Sequence, residues 1–420
     1  MVMFSLNCLH PTMELAMIST EGWFTRTFGS TGIGLTSTEV LEIVFAAFFV
    51  SLTVSVLIVL TERWHGRYSF DKDVNGIQKV HKNPVPRTGG LAVAIGIFSA
   101  SMLVLFAEPG DPTRVDAYGV FKLLVAGAPA LFAGLVEDMT KCVSVKARLL
   151  ATFCSALLAA WLLGANLPRL DIWGMDAMLE FLPLSLAVTA FAVAGVTNSV
   201  NIIDGFNGVA GGAIVVILSG MAFLAWHVGD TFVMQLALAG VGAALGFLAL
   251  NYPTGRIFMG DGGAYLLGFW AAEIAVLTIV RNPGVTAWQV MAIYAYPVIE
   301  VVFSMYRRKI VRKAEVGAPD RLHMHSLFYR RVACQKISRN VSYPWMRNAA
   351  VACFVSTWIV VATFVALSFG DTVPAAIALV LIQALLYMAY YTRLIRGHWG
   401  RCLNPAVIFG WRPEPKGRPI

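Results

Sequence analysis

Long apolar runs alternate with short polar segments along most of this chain. Eleven such runs can be read: Val40–Leu60, Gly89–Phe106, Gly119–Val136, Leu149–Gly164, Phe181–Val200, Val209–Val228, Phe232–Leu250, Gly262–Val280, Thr286–Met305, Ala349–Phe369 and Val373–Thr392. Crossing about 30 Å of hydrocarbon takes about 20 residues of α-helix, so each run predicts a membrane span. The fourth run is short, and the turn Gly229 to Thr231 is tight. Pro297 predicts a bend inside the ninth run, three residues before the intramembrane acid Glu300. The Gly242-xxx-Gly246 pair reads as close helix packing. The expected fold is therefore all-α and polytopic, with about 11 transmembrane helices. Residues 1–39 form a leader, 40–392 the membrane domain and 393–420 a basic tail.

Charge sets the sidedness. With the N-terminus outside, the five inward segments hold six, three, one, eleven and six Lys and Arg, which is 27 of the 32 in the chain. That excess predicts an outside N-terminus and a cytoplasmic C-terminus. The composition agrees: 58% of residues are hydrophobic, 13% are charged, and the mean hydropathy is +0.70. A soluble domain carries about 25% charged residues. The net charge of +8 reads as loop cations facing lipid headgroups, with no nucleic acid implied. Six scattered cysteines carry neither a metal-type nor a redox-type spacing.

Five polar clusters fall on the Lys/Arg-rich side. The first, Asp73 to Gly90, brings Lys79, His81 and Arg87 to a Pro-Arg-Thr-Gly-Gly entry into the second span. Its cations suit phosphates, although a plain headgroup-binding loop would also be basic. The second is the acid pair Glu137-Asp138 ending the third span. It suits Mg²⁺ or a phosphate proton, or else a solvated helix end. The third, Asn198 to Gly208, packs Asn201, Asp204 and Asn207 among glycines, more polar groups than a turn requires. The fourth runs from Asn251 through Phe258 to Gly260-Asp261-Gly262-Gly263. Here Asp261 could hold a cation and Phe258 could stack on a base, or Asp261 could simply cap a helix. The fifth, Asp320-Arg321-Leu-His323-Met-His325, lacks a complete zinc donor set and suits anion binding better. A transporter or flippase for an anionic solute or lipid would explain the spans and cations. It would not confine acids and amides to one face, and no internal duplication accompanies them.

The order and wording of these clusters resemble the polyprenyl-phosphate N-acetylhexosamine-1-phosphate transferase family, glycosyltransferase family 4. That pattern runs as a Pro-Arg-x-Gly-Gly entry, an acid pair ending a span, Asn-x-x-Asn-x-x-Asp-Gly-x-x-Gly, Phe-Met-Gly-Asp-x-Gly, and a His-rich loop. The resemblance covers roughly residues 40–392 and is closer to the WecA-like than to the MraY branch. It implies an enzyme of a bacterial inner membrane with its site facing the cytoplasm. The expected reaction moves a sugar-1-phosphate from a UDP-sugar to polyprenyl (undecaprenyl) phosphate. UMP is released, and a lipid-linked surface glycan such as O-antigen is begun. Membrane lipids are the other partners, with a homodimer as an open assembly state. By resemblance, Asp261 binds Mg²⁺ (or Mn²⁺) with Asp138 beside it, and Phe258 stacks on uracil. Asn251 and Asp204, with Asn201 and Asn207, line the nucleotide pocket, while Lys79, His81, Arg87, Arg321, His323 and His325 meet phosphates. Asp138, or else Glu137, removes the lipid phosphate proton. Three departures stand out: Glu137 replaces an Asp, Asn207 stands where many members have Asp, and Ser326 replaces a third histidine.

Overall fold

The computed structural model describes residues 37–70, 84–106, 117–313, 320–337 and 345–396. All eleven apolar runs are helical. In chain order the helices are α1 (Ser37–Leu60), α2 (Glu62–Ser69), α3 (Gly89–Phe106), α4 (Ala117–Thr140), α5 (Val145–Leu163), α6 (Met175–Leu179), α7 (Leu182–Ile203) and α8 (Val209–Val228). They continue with α9 (Thr231–Asn251), α10 (Gly260–Arg281), α11 (Ala287–Ile293), α12 (Ala295–Tyr306), α13 (Met324–Phe328), α14 (Trp345–Phe369) and α15 (Val373–Arg396). Among the described residues nine helices are long and apolar enough to cross a membrane, and the helix beginning at Gly89 is shorter. The ninth run is a broken span in which α11 and the stretch Ala295–Val311 meet at 81°. The break falls at Tyr294, and Pro297 explains its place: the ring leaves the Ile293 carbonyl without its intrahelical donor.

The bundle is organised around α10. Its spanning stretch is 89% buried against 17% for α15, so α10 is the axis and α15 lies at the lipid-facing rim. Helices α3, α4, α5, α7, α8, α9 and α11 all pack on it. Close approach requires small residues. A Cβ at Gly268 would lie 2.8 Å from Thr197 Cα of α7. On α9, Cβ atoms at Gly242 and Gly246 would come within 2.4 and 2.3 Å of backbone oxygens of α1, so this pair is a packing groove. At one end of α10, Arg281 pairs with Asp230 at 2.7 Å, and Asn282 donates to the same carboxylate. The other end of α10 begins at Gly260-Asp261, where the polar clusters meet.

Candidate active site

Two backbone seams build the site. The Pro-Arg-Thr-Gly-Gly segment lies alongside Phe258-Met259: Phe258 N donates to Pro86 O (2.8 Å), Gly89 N to Phe258 O (3.0 Å) and Gly90 N to Met259 O (3.0 Å). Glycine is obligatory at this seam. A Cβ on Gly90 would sit 2.2 Å from Gly263 N, and one on Gly134 of α4 would sit 2.5 Å from Gly262 Cα. Gly260 adopts a positive φ of 71°, and a Cβ there would strike Arg87 O and the Asp138 carboxylate. In the second seam, the buried Asn251 side chain accepts from Gly208 N at 2.7 Å and donates to Ile257 O at 2.8 Å. That amide clips the third cluster to the fourth.

Asp138 and Asp261 occupy different layers. The Asp138 carboxylate, only 3% exposed, accepts the backbone N–H groups of Asp261 and Gly262, both at 2.9 Å. These are unsatisfied donors of the first turn of α10, where an anion is favoured. Asp138 therefore supports the helix start from behind. Asp261 lies in front, on a cavity of about 870 Å³. It forms an ion pair with Arg148, lies 3.5 Å from the Arg87 guanidinium, and accepts from Asn201 Nδ2 at 3.2 Å. Arg87 also reaches Asp138 at 3.4 Å, so one guanidinium joins both layers. Arg148 and Tyr265 line the cavity too. Neither was among the expected site residues, since an arginine near a helix end reads as ordinary positive-inside charge.

Asp204 follows the last turn of α7, half-buried in the same wall. Burial pushes its carboxyl up to about 7; Arg87 opposes this, while the Asp261 and Asp138 charges add to it. Asn207 donates to Pro253 O at 3.3 Å, and Phe258 lines the cavity. Glu137 turns elsewhere: it accepts from Val143 N at 2.8 Å, closing the α4–α5 turn, and is not part of the cavity wall. Arg321 is exposed and likewise outside that wall. Lys79 and His81 lie outside the described residues.

The His-rich loop is fastened to the second half of the broken span. His323 shares its Nδ1 with the buried Glu300 at 2.9 Å, and Met324 N donates to both Glu300 oxygens at 3.1 and 3.2 Å. Arg307, buried in a π-helical turn after α12, pairs with Asp320 and donates to Leu322 O. Burial alone would raise Asp320, but Arg307 overrides it and holds that carboxyl below its usual range. The His323 and His325 rings stack, 5.4 Å apart and 8° from parallel. His325 is almost fully buried against Phe206, and desolvation lowers its imidazole to about 4.

Among the described residues no group of three His, Cys, Asp or Glu is assembled to hold a metal. Mg²⁺ needs less than that: one or two carboxylates, with phosphate oxygens and water completing the octahedron. Asp261, with the Asn201 amide beside it, fits that requirement. The apolar part of the wall is formed by Leu149 and Phe153 of α5, Phe191 of α7, and Val301 and Met305 of α12.

Comparison with known proteins places the site's elements in context. The model of glycosyl transferase family 4 matches residues 120–279, which include most of α4, all of α7 and most of α10. A probable undecaprenyl-phosphate N-acetylglucosaminyl 1-phosphate transferase of Bacillus subtilis is 29% identical over 290 residues, 67% of this chain and 76% of that protein. A decaprenyl-phosphate N-acetylglucosaminephosphotransferase of Mycobacterium tuberculosis is 27% identical over 266 residues, 59% of this chain and 66% of that protein. An undecaprenyl-phosphate alpha-N-acetylglucosaminyl 1-phosphate transferase of Escherichia coli K12 is 28% identical over 266 residues, 61% of this chain and 69% of that protein.

Proposed function

The chain belongs to glycosyl transferase family 4, and from that premise we propose that it transfers a sugar-1-phosphate from a UDP-sugar of N-acetylhexosamine type to polyprenyl phosphate. A phosphate oxygen of the lipid attacks the β-phosphorus of the donor. The bond from that phosphorus to the bridging oxygen breaks, and UMP departs with the electron pair. The products are UMP and a polyprenyl-diphosphate sugar.

The observation that carries this reading is the wall around Asp261, where Arg87, Arg148, Asn201 and Asp204 converge. Two anionic substrates repel one another, and fixed cations in a partly dehydrated cavity offset that repulsion. Arg87, Arg148 and the His323–His325 pair would hold the phosphates. Phe258 offers a ring to the uracil, and the apolar wall of α5, α7 and α12 receives the first isoprene units while the tail stays in the bilayer. Mg²⁺, held by Asp261, would supply charge neutralisation at the diphosphate. Mn²⁺ has the same oxygen preference.

A phosphate monoester loses its second proton near pH 6. Asp138, the acid expected from the sequence to take it, has both oxygens on backbone N–H groups and stands behind the cavity wall. We therefore assign Asp138 the support of α10. Asp204, with a carboxyl near 7, is the group suited to accept the proton at neutral pH.

The Lys/Arg-rich side carries all of these residues, so the site faces the cytoplasm of a bacterial inner membrane. The test is direct. Purified protein incubated with UDP-N-acetylglucosamine, polyprenyl phosphate and Mg²⁺ releases UMP and forms a lipid-linked sugar, and EDTA stops both. Asp261→Ala lowers turnover by about 10²–10³ or more, the scale of removing a charge-organising group. A folded Asp261→Ala protein with normal turnover overturns the reading.

A further inference from the structure

The broken span gives α12 two working faces. Val301, Ser304, Met305 and Arg308 line the cavity. Glu300, Ser304 and Arg307 bind the loop from Asp320 to Met324. Both ends of that loop are thus fastened to one rigid half-helix. Glu300 is the interior fastening, 1% exposed, and it serves two partners at once: His323 Nδ1 at 2.9 Å and Met324 N at 3.1 and 3.2 Å.

A carboxylate at Nδ1 has a definite consequence for an imidazole. It takes the Nδ1–H, fixes the ring plane, and leaves Nε2 as the nitrogen able to meet a ligand. His323 lines the cavity, and its ring stacks on His325 at 5.4 Å, so the orientation of the first histidine is passed to the second. Glu300 itself is not part of the cavity wall.

We propose that Glu300 is a positioning residue: it acts through His323, accepting Nδ1–H so that the doubly protonated ring aims its Nε2–H as a donor at the phosphate groups of the substrate, and its backbone bond to Met324 is secondary. This rests on the proposed transferase reading for the identity of the ligand. The geometry gives Glu300 no contact with substrate, so its effect has to pass through the imidazole. Partners that orient a metal-ligating imidazole from behind change affinity or activity by about 10–100-fold when removed, and we take the lower end of that scale for His323.

The test is a double-mutant cycle with Glu300→Gln and His323→Ala. Glutamine has nearly the same volume and can still accept one hydrogen bond, but it carries no charge, and its N–H can donate to Nδ1 only when that nitrogen has lost the proton that the carboxylate holds. UMP release is measured for both single variants and the double variant, with UDP binding measured in parallel. Glu300→Gln is expected to reduce kcat/KM about tenfold in the wild-type background and less than about twofold once His323 is alanine, because coupled residues are non-additive. Glu300→Asp is expected to recover part of the loss. An equal loss in both backgrounds overturns the proposal, leaving Glu300 as a loop fastener for Met324. No loss in either background overturns it outright. If Glu300→Gln does not fold, the same cycle is run with Glu300→Asp. A wild-type protein that releases no UMP sinks the transferase reading instead. The UDP-binding cycle then decides the role of Glu300 by itself: coupling between the two positions supports it, and additivity overturns it.

Discussion

Asp138 accepts the backbone N–H of Asp261 at 2.9 Å and that of the next residue at the same distance, so one acid of this site is the mount on which the other stands. A carboxylate can serve both N–H groups with full charge. An amide can serve one and turns a donor toward the other. We expect Asp138→Asn to lower thermal stability by about 1.5–3 kcal/mol, the scale of one charge-assisted hydrogen bond to a buried group, and to lose most turnover without abolishing UDP binding. Thermal unfolding and nucleotide titration in detergent check this. Wild-type stability with lost turnover would instead mark Asp138 as a chemical participant.

Arg148 pairs with the carboxylate that we assign to the divalent cation. Replacing it with Gln removes a competing charge from Asp261. The expected result is a split: tighter cation binding, seen by Mn²⁺ titration, together with a KM for the UDP-sugar raised about tenfold or more through loss of a charge-assisted phosphate contact. A parallel weakening of both would contradict the geometry.

Asp204 sets a pH dependence. Its carboxyl ionises at about 7 in the folded protein against an ordinary 3.8. Turnover that needs the carboxylate therefore falls as the pH drops through about 7, and Asp204→Asn turns over slowly with no such acidic limb. The stability sign is the reverse. A raised carboxyl favours folding while protonated, so its contribution is complete below about 4 and is lost as the pH rises through about 7. Thermal midpoints measured from pH 4 to 8 should decline less steeply in Asp204→Asn.

The glycine seam predicts a sharp contrast. Gly90→Ala and Gly134→Ala place a methyl 2.2 and 2.5 Å from backbone atoms of Gly263 and Gly262, with no flexible side chain to yield. We expect each to cost about 1–3 kcal/mol or more, the scale of overpacking, and to reduce the yield of folded protein. Gly284→Ala, where a Cβ meets nothing within 4 Å, should match the wild type. Yield after gel filtration and thermal midpoint are the measurements.

Much of the architecture is legible in the sequence because a span is a local property. About 20 apolar residues in a row have few other solutions, and all eleven runs are helical. The ninth run shows the limit: Pro297 announces a bend, but its size depends on what α11 and α12 pack against. The polar clusters were visible as interruptions of apolar sequence. Their division of labour was not. Asp138 and Asn251 carry ligand-type side chains that are spent on backbone N–H groups more than 40 residues away in the chain, a fact that only the fold contains. Arg148, Glu300 and Arg307 went the other way. Each looks ordinary in its own segment, as a loop cation or a bundle ion-pair partner, and gains meaning from a neighbour elsewhere in the sequence.

Where α3, α4 and α10 meet through glycine, there are no rotamers to rearrange. The platform under Asp261 is consequently as stiff as main chain itself and offers natural variation nothing to adjust. Retuning toward another donor sugar has to proceed in the walls, through the His-bearing loop and the half-helix that holds it. Relatives using different sugars should thus keep this pedestal unchanged and diverge around its rim.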